Sequence, residues 1–232
     1  MDAILATLPS SLHSVPAPDP AAEANHRIAN TLALLSGLVR MQAASAKKKA
    51  STYSGAEVCL LLDGMAARVS IISQLHRILS RGHPNGVVDM QPHLKEITDT
   101  LAAALSSPER QVRVVHTGGD CLVLMQHVQP IVLILCEIFI NALKYAHPAG
   151  APLIMLVDCE PSLDGKLLLT ISDDGVGLPE GFLPQKDGGM GFKVMYRLAQ
   201  EIGSELMILS THLGLSFRLS LPAGTMAGAK LA

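Results

Sequence analysis

His26 is the first side chain in the sequence that could carry out a reaction, and it lies in the run NHRIAN. A helical pattern over residues 21–42 places Ile28 and Leu35 on one apolar face and turns His26 away from it, so we expect an exposed imidazole. A neutral imidazole is a nucleophile, and its usual pKa of about 6.5 leaves much of it neutral at physiological pH. Asn30, one turn later, could orient the ring. An ordinary surface histidine fits the periodicity better, so spacing alone assigns no role.

A second group of polar side chains, Glu137, Asn141, Lys144 and Tyr145, lies on a helix predicted over residues 128–145. Their spacing places them in one polar stripe on an otherwise apolar helix. Carboxylate and amide oxygens suit Mg²⁺, and an ammonium suits phosphate. A half-exposed amphipathic helix is an equally good interpretation of the same spacing.

Two glycine-rich motifs follow a predicted strand. In DDGVG, at residues 173–177, the carboxylate of Asp173 could accept a hydrogen bond from an exocyclic amine such as that of adenine, and the glycines allow a sharp turn. In GGMG, at residues 188–191, glycine-rich backbone precedes a helix whose N-terminus would favour phosphate. Each motif alone is weak evidence, because DxG is common in turns and GGMG lacks the lysine and hydroxyl of a P-loop.

The helices that come first along the chain predict an antiparallel hairpin. The first covers residues 21–42, and the second covers about 58–79, with a polar connection between them. The second helix is expected to bury one apolar stripe: Val58, Leu61, Leu62, Met65, Val69, Ile72 and Leu79. Because two helices cannot close a core by themselves, the hairpin should pack against another copy or against the rest of the chain.

The remaining elements predict an α+β fold. A third helix, capped by Asp89, ends near Leu105. Strands are then expected at 111–116, 153–159, 166–172, 205–210 and 215–221, with helices at 128–145 and about 191–202. Helices and neighbouring strands in this order favour a layered α/β sandwich.

The composition excludes several classes of protein. Of 232 residues, 49% are hydrophobic and 16% are charged, which supports a packed core and argues against disorder. A net charge of −2 gives no broad basic surface for nucleic acid. The densest apolar run, 131–136, is much shorter than the roughly 20 residues of a membrane span. Four widely spaced cysteines without a CxxC pair predict buried, reduced thiols rather than a metal or disulfide framework.

Together and in this order, the four motifs make the sequence resemble the sensor histidine kinases. Residues 25–32 look like the H box of the HWE-related class, in which an HRxxN run carries the phospho-accepting histidine. Residues 137–146 look like the N box, 173–177 like the DxGxG box, and 189–192 like the second glycine box. Cys136 stands where true HWE kinases have a histidine, and the chain has no Trp, so it fits the neighbouring class with an ordinary DxGxG box.

The resemblance implies a role for each candidate residue. His26, beside Arg27 and Asn30, would accept a phosphoryl group from ATP, with Glu23 as a possible base. Asn141 would hold Mg²⁺, and Asp173 would bind the adenine amine. Lys144 and Tyr145 would lie against the nucleotide, and Glu137 would also be a nucleotide-binding residue. The pocket and its lid would be shaped by Gly175, Gly177, Gly189 and Gly191.

The implied fold is a dimerisation and phosphotransfer helical hairpin, forming a four-helix bundle in a homodimer, followed by a Bergerat-type (GHKL) ATP-binding sandwich. We expect a flexible leader at 1–20, the helical domain at 21–107 and the catalytic domain at 108–232. The leader is too short for a sensor and has no secretory signal pattern, which predicts a cytoplasmic protein that is either a fragment of a longer protein or takes its signal from a separate partner.

The expected function is autophosphorylation followed by transfer to an aspartate of a response-regulator receiver domain, with no nucleic-acid partner and no membrane span. Two alternatives remain open at this point. One is a histidine phosphotransferase with a degenerate kinase fold, which the missing sensor favours. The other is a non-catalytic protein-binding adaptor, for which the hairpin with its exposed histidine would be unnecessary.

Overall fold

A computed structural model describes residues 53–80, 86–107, 110–148, 151–162 and 164–224, together with scattered helical positions between 29 and 47. The helices are α1 (Gly55–Leu79), α2 (Gln91–Leu105), α3 (Met125–Tyr145), α4 (Pro184–Asp187) and α5 (Met190–Glu201). The strands are β1 (Val87–Asp89), β2 (Val112–Gly118), β3 (Leu122–Leu124), β4 (Leu153–Pro161), β5 (Leu167–Asp173), β6 (Leu206–Thr211) and β7 (Gly214–Leu221). This order of a helical region followed by a layered sheet confirms the predicted α+β fold.

Helix α1 begins at a capping box. The Ser54 hydroxyl accepts a hydrogen bond from the Glu57 backbone N–H at 3.2 Å, and the Glu57 carboxylate accepts one from the Ser54 N–H at 2.8 Å. Two backbone donors that the first turn would otherwise leave unpaired are thereby satisfied. The start of the helix that carries Arg68 is therefore fixed locally by its own sequence.

The face of α1 that contacts the rest of the described chain differs from the predicted stripe. Its buried apolar residues are Ala67, Ile71, Leu75 and Ile78, which pack towards α2 and α3. Members of the predicted stripe lie on the outer side instead, where Leu62 is 58% exposed and Val69 is 57% exposed. Periodicity identified one apolar face of α1 and missed the second one, which meets the core; pairing of the first face with another copy stays a prediction.

The sheet has five strands in the order β2-β4-β5-β7-β6. Only the β2–β4 pair is parallel, and α3 lies between these two strands along the chain. Residues on alternate positions of β4, β5 and β7 point into the core, among them Val157, Ile171 and Phe217. Helix α3 fills the space above this face, and its residues from Pro130 to Ile140 are all buried.

Three short elements were not predicted: β1, β3 and α4. Strands β1 and β3 pair with each other in a separate two-stranded sheet that leads directly into α3. Asp89 ends β1 and is not the N-cap of α2, which is Met90. Its carboxylate nevertheless accepts a hydrogen bond from the Gln91 N–H at 3.0 Å and another from the Cys121 N–H at 3.3 Å. Asp89 therefore connects the start of α2 to the residue before β3.

The cysteine prediction was wrong for three of the four residues. Cys121 and Cys159 are joined in a disulfide with their Cα atoms 5.9 Å apart, although 38 residues separate them along the chain. Cys59 is exposed, and Cys136 alone is a buried free thiol. Wide spacing in sequence does not prevent a strand and a loop from meeting in the fold, so a spacing rule missed this pair.

Two helices, α1 and α3, are long and apolar enough to cross a membrane when judged by length and composition. A run as short as 131–136 does not reveal these longer apolar windows. The most apolar 18-residue window is 78% buried by the protein itself in α3 and 33% buried in α1. The core helix of a soluble domain has the same length and composition, and burial as deep as that of α3 is typical of one.

Candidate functional site

A cavity of about 880 Å³ opens beside the C-terminal half of α3. Its size is within the range of small-molecule sites, about 300–1,000 Å³. Its wall brings together eight of the residues singled out from the sequence: Glu137, Asn141, Lys144, Tyr145, Asp173, Gly177, Gly189 and Gly191. The motifs from α3, from the end of β5 and from the start of α5 thus converge on one space.

Glu137 lies on the cavity wall and is only 4% exposed. Both of its carboxylate oxygens accept hydrogen bonds from Arg68 of α1: Oε1 from Nε at 2.7 Å and Oε2 from Nη2 at 2.9 Å. Arg68 also donates from Nη1 to the Gly64 carbonyl at 3.2 Å. Burial alone would lower the pKa of Arg68, but the hydrogen bonds and the charge of Glu137 raise it above its ordinary value. The Arg68 guanidinium therefore stays protonated beside Glu137.

Asn141 presents an unpaired polar atom to the same space. Its amide nitrogen is buried without a hydrogen-bond partner in the described part of the chain. A Cβ placed on Gly191 would lie 3.2 Å from both amide atoms of Asn141 and 3.3 Å from Oε2 of Glu137. The glycine therefore leaves room that a larger side chain would fill, and the amide is available to a ligand.

The donor set fits Mg²⁺ only in combination with a nucleotide. Mg²⁺ is usually held by one or two protein oxygens together with substrate phosphates and water. The amide oxygen of Asn141 could supply one such ligand, while both oxygens of Glu137 are already paired with Arg68. In the described residues no group of three His, Cys, Asp or Glu side chains could form a metal cage without phosphate.

Lys144 and Tyr145 lie at the end of α3 and line the cavity. Burial lowers the pKa of Lys144, the charge of Arg68 lowers it further, and the charge of Glu137 opposes both effects. Tyr145 is 66% exposed, so its ring stands at the cavity opening. An ammonium inside and an aromatic ring at the opening could contact the phosphates and the flat part of a nucleotide, respectively.

Asp173, at the end of β5, is a second buried carboxylate, 8% exposed. Its Oδ1 accepts hydrogen bonds from the backbone N–H groups of Gly175, at 2.9 Å, and Leu215, at 3.3 Å. Burial raises the pKa of Asp173, and these two N–H donors partly offset the effect. No hydrogen bond in the described part of the chain uses Oδ2, which therefore remains an acceptor for an amino group.

The glycine motifs hold the backbone where side chains would not fit. Gly175 is not on the cavity wall, but a Cβ there would overlap Ala146, which follows α3. Gly177 has φ +72°, and a Cβ there would overlap the Thr211 carbonyl. Gly189 caps α5 without a side-chain hydrogen bond, so the first turn of that helix offers unpaired N–H groups next to the cavity.

Four of the candidate residues lie outside the described residues: Glu23, His26, Arg27 and Asn30. Their roles stay predictions. Arg68, by contrast, was missed by the sequence analysis although it lies on the cavity wall. The available signal was a single arginine in the apolar run MAARVSII, where a charge needs a partner once it is buried.

Two known families match the chain. A family described as "Histidine kinase" matches residues 23–105, and one described as "Histidine kinase-, DNA gyrase B-, and HSP90-like ATPase" matches residues 126–225. The first match covers the sequence around His26, together with α1 and α2. The second covers nearly all of α3, the strands β4 to β7 and every described residue assigned to the cavity motifs.

The relatives are proteins of the same kind. Sensor histidine kinase PdtaS of Mycobacterium tuberculosis is 28% identical over 208 residues, which cover 87% of this chain and 39% of PdtaS. Blue-light-activated histidine kinase 2 of Erythrobacter litoralis is 23% identical over 203 residues, which cover 87% of this chain and 56% of that protein. This chain thus spans about two fifths to somewhat over half the length of these relatives.

A solved structure has a similar fold. The histidine kinase domain of a blue-light-activated histidine kinase from Erythrobacter litoralis superposes with a TM-score of 0.64 at 20% identity. The superposition covers 89% of this chain and 95% of that domain. At this identity the likeness establishes the fold and nothing finer.

Gly177→Ala tests whether the DDGVG turn depends on close backbone approach. We expect it to lower the free energy of unfolding by about 2–4 kcal/mol, since the residue has positive φ and its Cβ would meet the Thr211 carbonyl. Gly181→Ala is the matched control: its φ is +75°, but nothing lies within 4 Å of the added Cβ, so it should cost only about 1 kcal/mol. Urea unfolding measures both, and equal losses would contradict the steric argument.

Proposed function

The chain belongs to the histidine kinases, as its sequence motifs predicted, and on this premise we propose that it binds ATP in the cavity beside α3 and uses it to phosphorylate His26. The observation that carries the proposal is the convergence of three unused recognition groups on one cavity. These are the free oxygen of Asp173, the unpaired amide of Asn141 and the N-terminus of α5.

Each part of the nucleotide has a matching group. Oδ2 of Asp173 accepts from the adenine amine while Oδ1 is held by two backbone donors. Lys144 and the N–H groups at the start of α5 bind phosphate oxygens. Asn141 would hold Mg²⁺ through its amide oxygen, and a bound Mg²⁺ would supply charge neutralisation at the phosphates.

The transfer itself requires placement more than covalent chemistry from the protein. A neutral nitrogen of His26 attacks the γ-phosphorus, an N–P bond forms, the bond from the γ-phosphorus to the bridging oxygen breaks, and ADP leaves. The proton displaced from the imidazole passes to a base, for which Glu23 is the candidate one turn away. The phosphoryl group then moves from His26 to an aspartate of a response-regulator receiver domain, which restores the histidine.

We further propose that the chain acts as a homodimer in the cytoplasm and receives its signal from a separate partner or from a further segment. The outer face of α1 supports dimerisation, because Val58, Leu62 and Val69 are 41%, 58% and 57% exposed. Large apolar side chains grouped on one exposed helix face are typical of an association surface. Pairing of two hairpins through such faces would complete a four-helix bundle.

Phosphorylation of His26 is tested by incubating the protein with γ-labelled ATP and Mg²⁺. The wild type should acquire label that acid removes and alkali does not, since the label sits on a phosphoramidate nitrogen. His26→Ala should reduce the label to background, whereas His212→Ala, an exposed histidine in the β6–β7 turn, should keep it. Persistent acid-labile label in His26→Ala would refute the assignment.

Asp173→Asn tests the adenine contact. The oxygen of the substituted amide would stay with the two backbone donors, so its NH₂ would face the adenine amine, and we expect ATP affinity to fall at least about tenfold. Relative affinity for GTP, whose six-position is an acceptor, should rise. Asp164→Asn, in the exposed β4–β5 turn, serves as the control, and competition binding with a fluorescent ATP analogue measures all three proteins.

The same carboxylate predicts the pH dependence of ATP binding. Protonation of Asp173 removes the acceptor, and burial raises the pKa of this carboxyl. ATP affinity should therefore begin to fall at a higher pH than it would if Asp173 had the ordinary aspartate pKa of 3.8. Unchanged affinity of Asp173→Asn for ATP would refute the contact.

Leu62→Glu tests the association surface. A charge in the middle of the outer face of α1 should convert a dimer into a monomer, and the mass measured by light scattering should fall to 24.5 kDa. Leu213→Glu is the control, because Leu213 is 73% exposed in the β6–β7 turn, away from α1. A wild-type mass of 24.5 kDa at high concentration would contradict dimerisation.

A further inference from the structure

The cavity proposed to bind ATP is not built from the ATPase region alone. Helix α1, which precedes that region, contributes Glu57, Leu60 and Leu61 in its first turns and Arg68 at its centre, and Tyr53 lies just before it. Arg68 forms hydrogen bonds with a motif residue of the cavity wall, Glu137. The cavity in the described chain is therefore completed by the helical region.

The charges on this wall oppose a polyphosphate, and they would oppose it more strongly without Arg68. Four carboxylates line the cavity, namely Glu57, Glu137, Asp173 and Asp187, and two cations, Arg68 and Lys144. Without Arg68, a single ammonium would remain, and burial lowers the pKa of that ammonium. A like charge close to a bound anion in a partly buried site is strongly unfavourable.

Glu137 lies close to the start of α5, where phosphate would lie. Its Oε2 is 3.3 Å from the position of a Cβ on Gly191, in the first turn of α5. The same position is 3.2 Å from the amide of Asn141. An uncompensated charge on Glu137 would therefore oppose the phosphate groups that the N-terminus of α5 attracts.

We propose that Arg68 is a nucleotide-positioning residue supplied by the helical region: it holds and neutralises Glu137 so that the cavity accepts a triphosphate. This inference rests on the proposed function, since it assumes that ATP is the ligand. Nothing in it requires Arg68 to touch the nucleotide. Its consequence is that nucleotide affinity depends on where α1 lies relative to α3.

The two hydrogen bonds between Arg68 and the carboxylate of Glu137 explain why position 68 needs arginine. Nε and Nη2 of Arg68 match the two oxygens of Glu137, and Nη1 is fixed by the Gly64 carbonyl within the same helix. A lysine would keep the charge but could not make both contacts in a fixed plane. Arg68→Lys should therefore retain part of the effect.

The test compares ATP with adenosine by calorimetric titration of the full chain in the presence of EDTA, so that no divalent cation screens the phosphates. Arg68→Gln should weaken ATP binding at least about tenfold and adenosine binding less than about twofold, because only ATP carries charge. Arg68→Lys should fall between Arg68→Gln and the wild type. Arg77→Gln is the matched control on α1, because Arg77 forms an exposed ion pair with Glu96 at 3.3 Å, and it should change neither ligand.

A double variant separates neutralisation of Glu137 from other effects. The variant that combines Arg68→Gln and Glu137→Gln carries no charge at either position. Its ATP affinity should therefore lie within about threefold of that of Glu137→Gln alone. This variant also keeps the test valid if Arg68→Gln alone does not fold, because two neutral amides can occupy the site. Thermal unfolding of every variant reports its folding.

Three results would overturn the inference while leaving the proposed function intact. They are wild-type ATP affinity in Arg68→Gln, equal losses for ATP and adenosine, and a double variant as weak as Arg68→Gln. The second would mean that the wall had merely been disrupted, and the third that Arg68 acts independently of Glu137. Absence of ATP binding by the wild type both in EDTA and with Mg²⁺ would instead overturn the proposed function and the inference together.

Discussion

Helix α3 is buried along most of its length, and the positions of the other elements follow from that constraint. Each residue from Pro130 to Ile140 is buried, so the helix needs cover on every side. The sheet covers one side, while α1, α2 and α5 cover the others. The polar residues Asn141, Lys144 and Tyr145 come where this cover ends, and the cavity forms there. One helix thus provides both the centre of the core and the floor of the site.

Two carboxylates are buried in this arrangement, and they are satisfied in different ways. Glu137 has both oxygens paired with the guanidinium of Arg68, whereas Asp173 has one oxygen held by two backbone N–H groups. A buried charge is tolerated only when it is paired or hydrogen-bonded. Both oxygens of Glu137 therefore already accept hydrogen bonds from Arg68, whereas Oδ2 of Asp173 can still accept one from a ligand. The two carboxylates on the cavity wall therefore differ in how they can interact with a charged molecule.

The sequence predicted those parts of the fold that depend on neighbouring residues. The strands and the two glycine motifs are such parts, because alternation and turn chemistry act over a few positions. The Arg68–Glu137 pair, whose members are 69 residues apart, depends on packing between distant segments, and no local pattern encodes it. Strands β1 and β3 have three residues each, too few to show a period. The contact face of α1 was missed because both of its sides are apolar.

The two faces of α1 also determine how firmly the helical region is tied to the site. Ile71 and Leu75 are 0% and 1% exposed, and they lie on the same side of the helix as Arg68. Any movement that separates α1 from α3 must therefore expose these side chains and break the ion pair together. Separation of a buried pair that leaves one charge unpaired costs about 3–5 kcal/mol, to which the loss of apolar burial adds. The contacts that position α1 are thus the same contacts that neutralise the cavity, so a signal that displaces α1 would change the charge seen by a nucleotide.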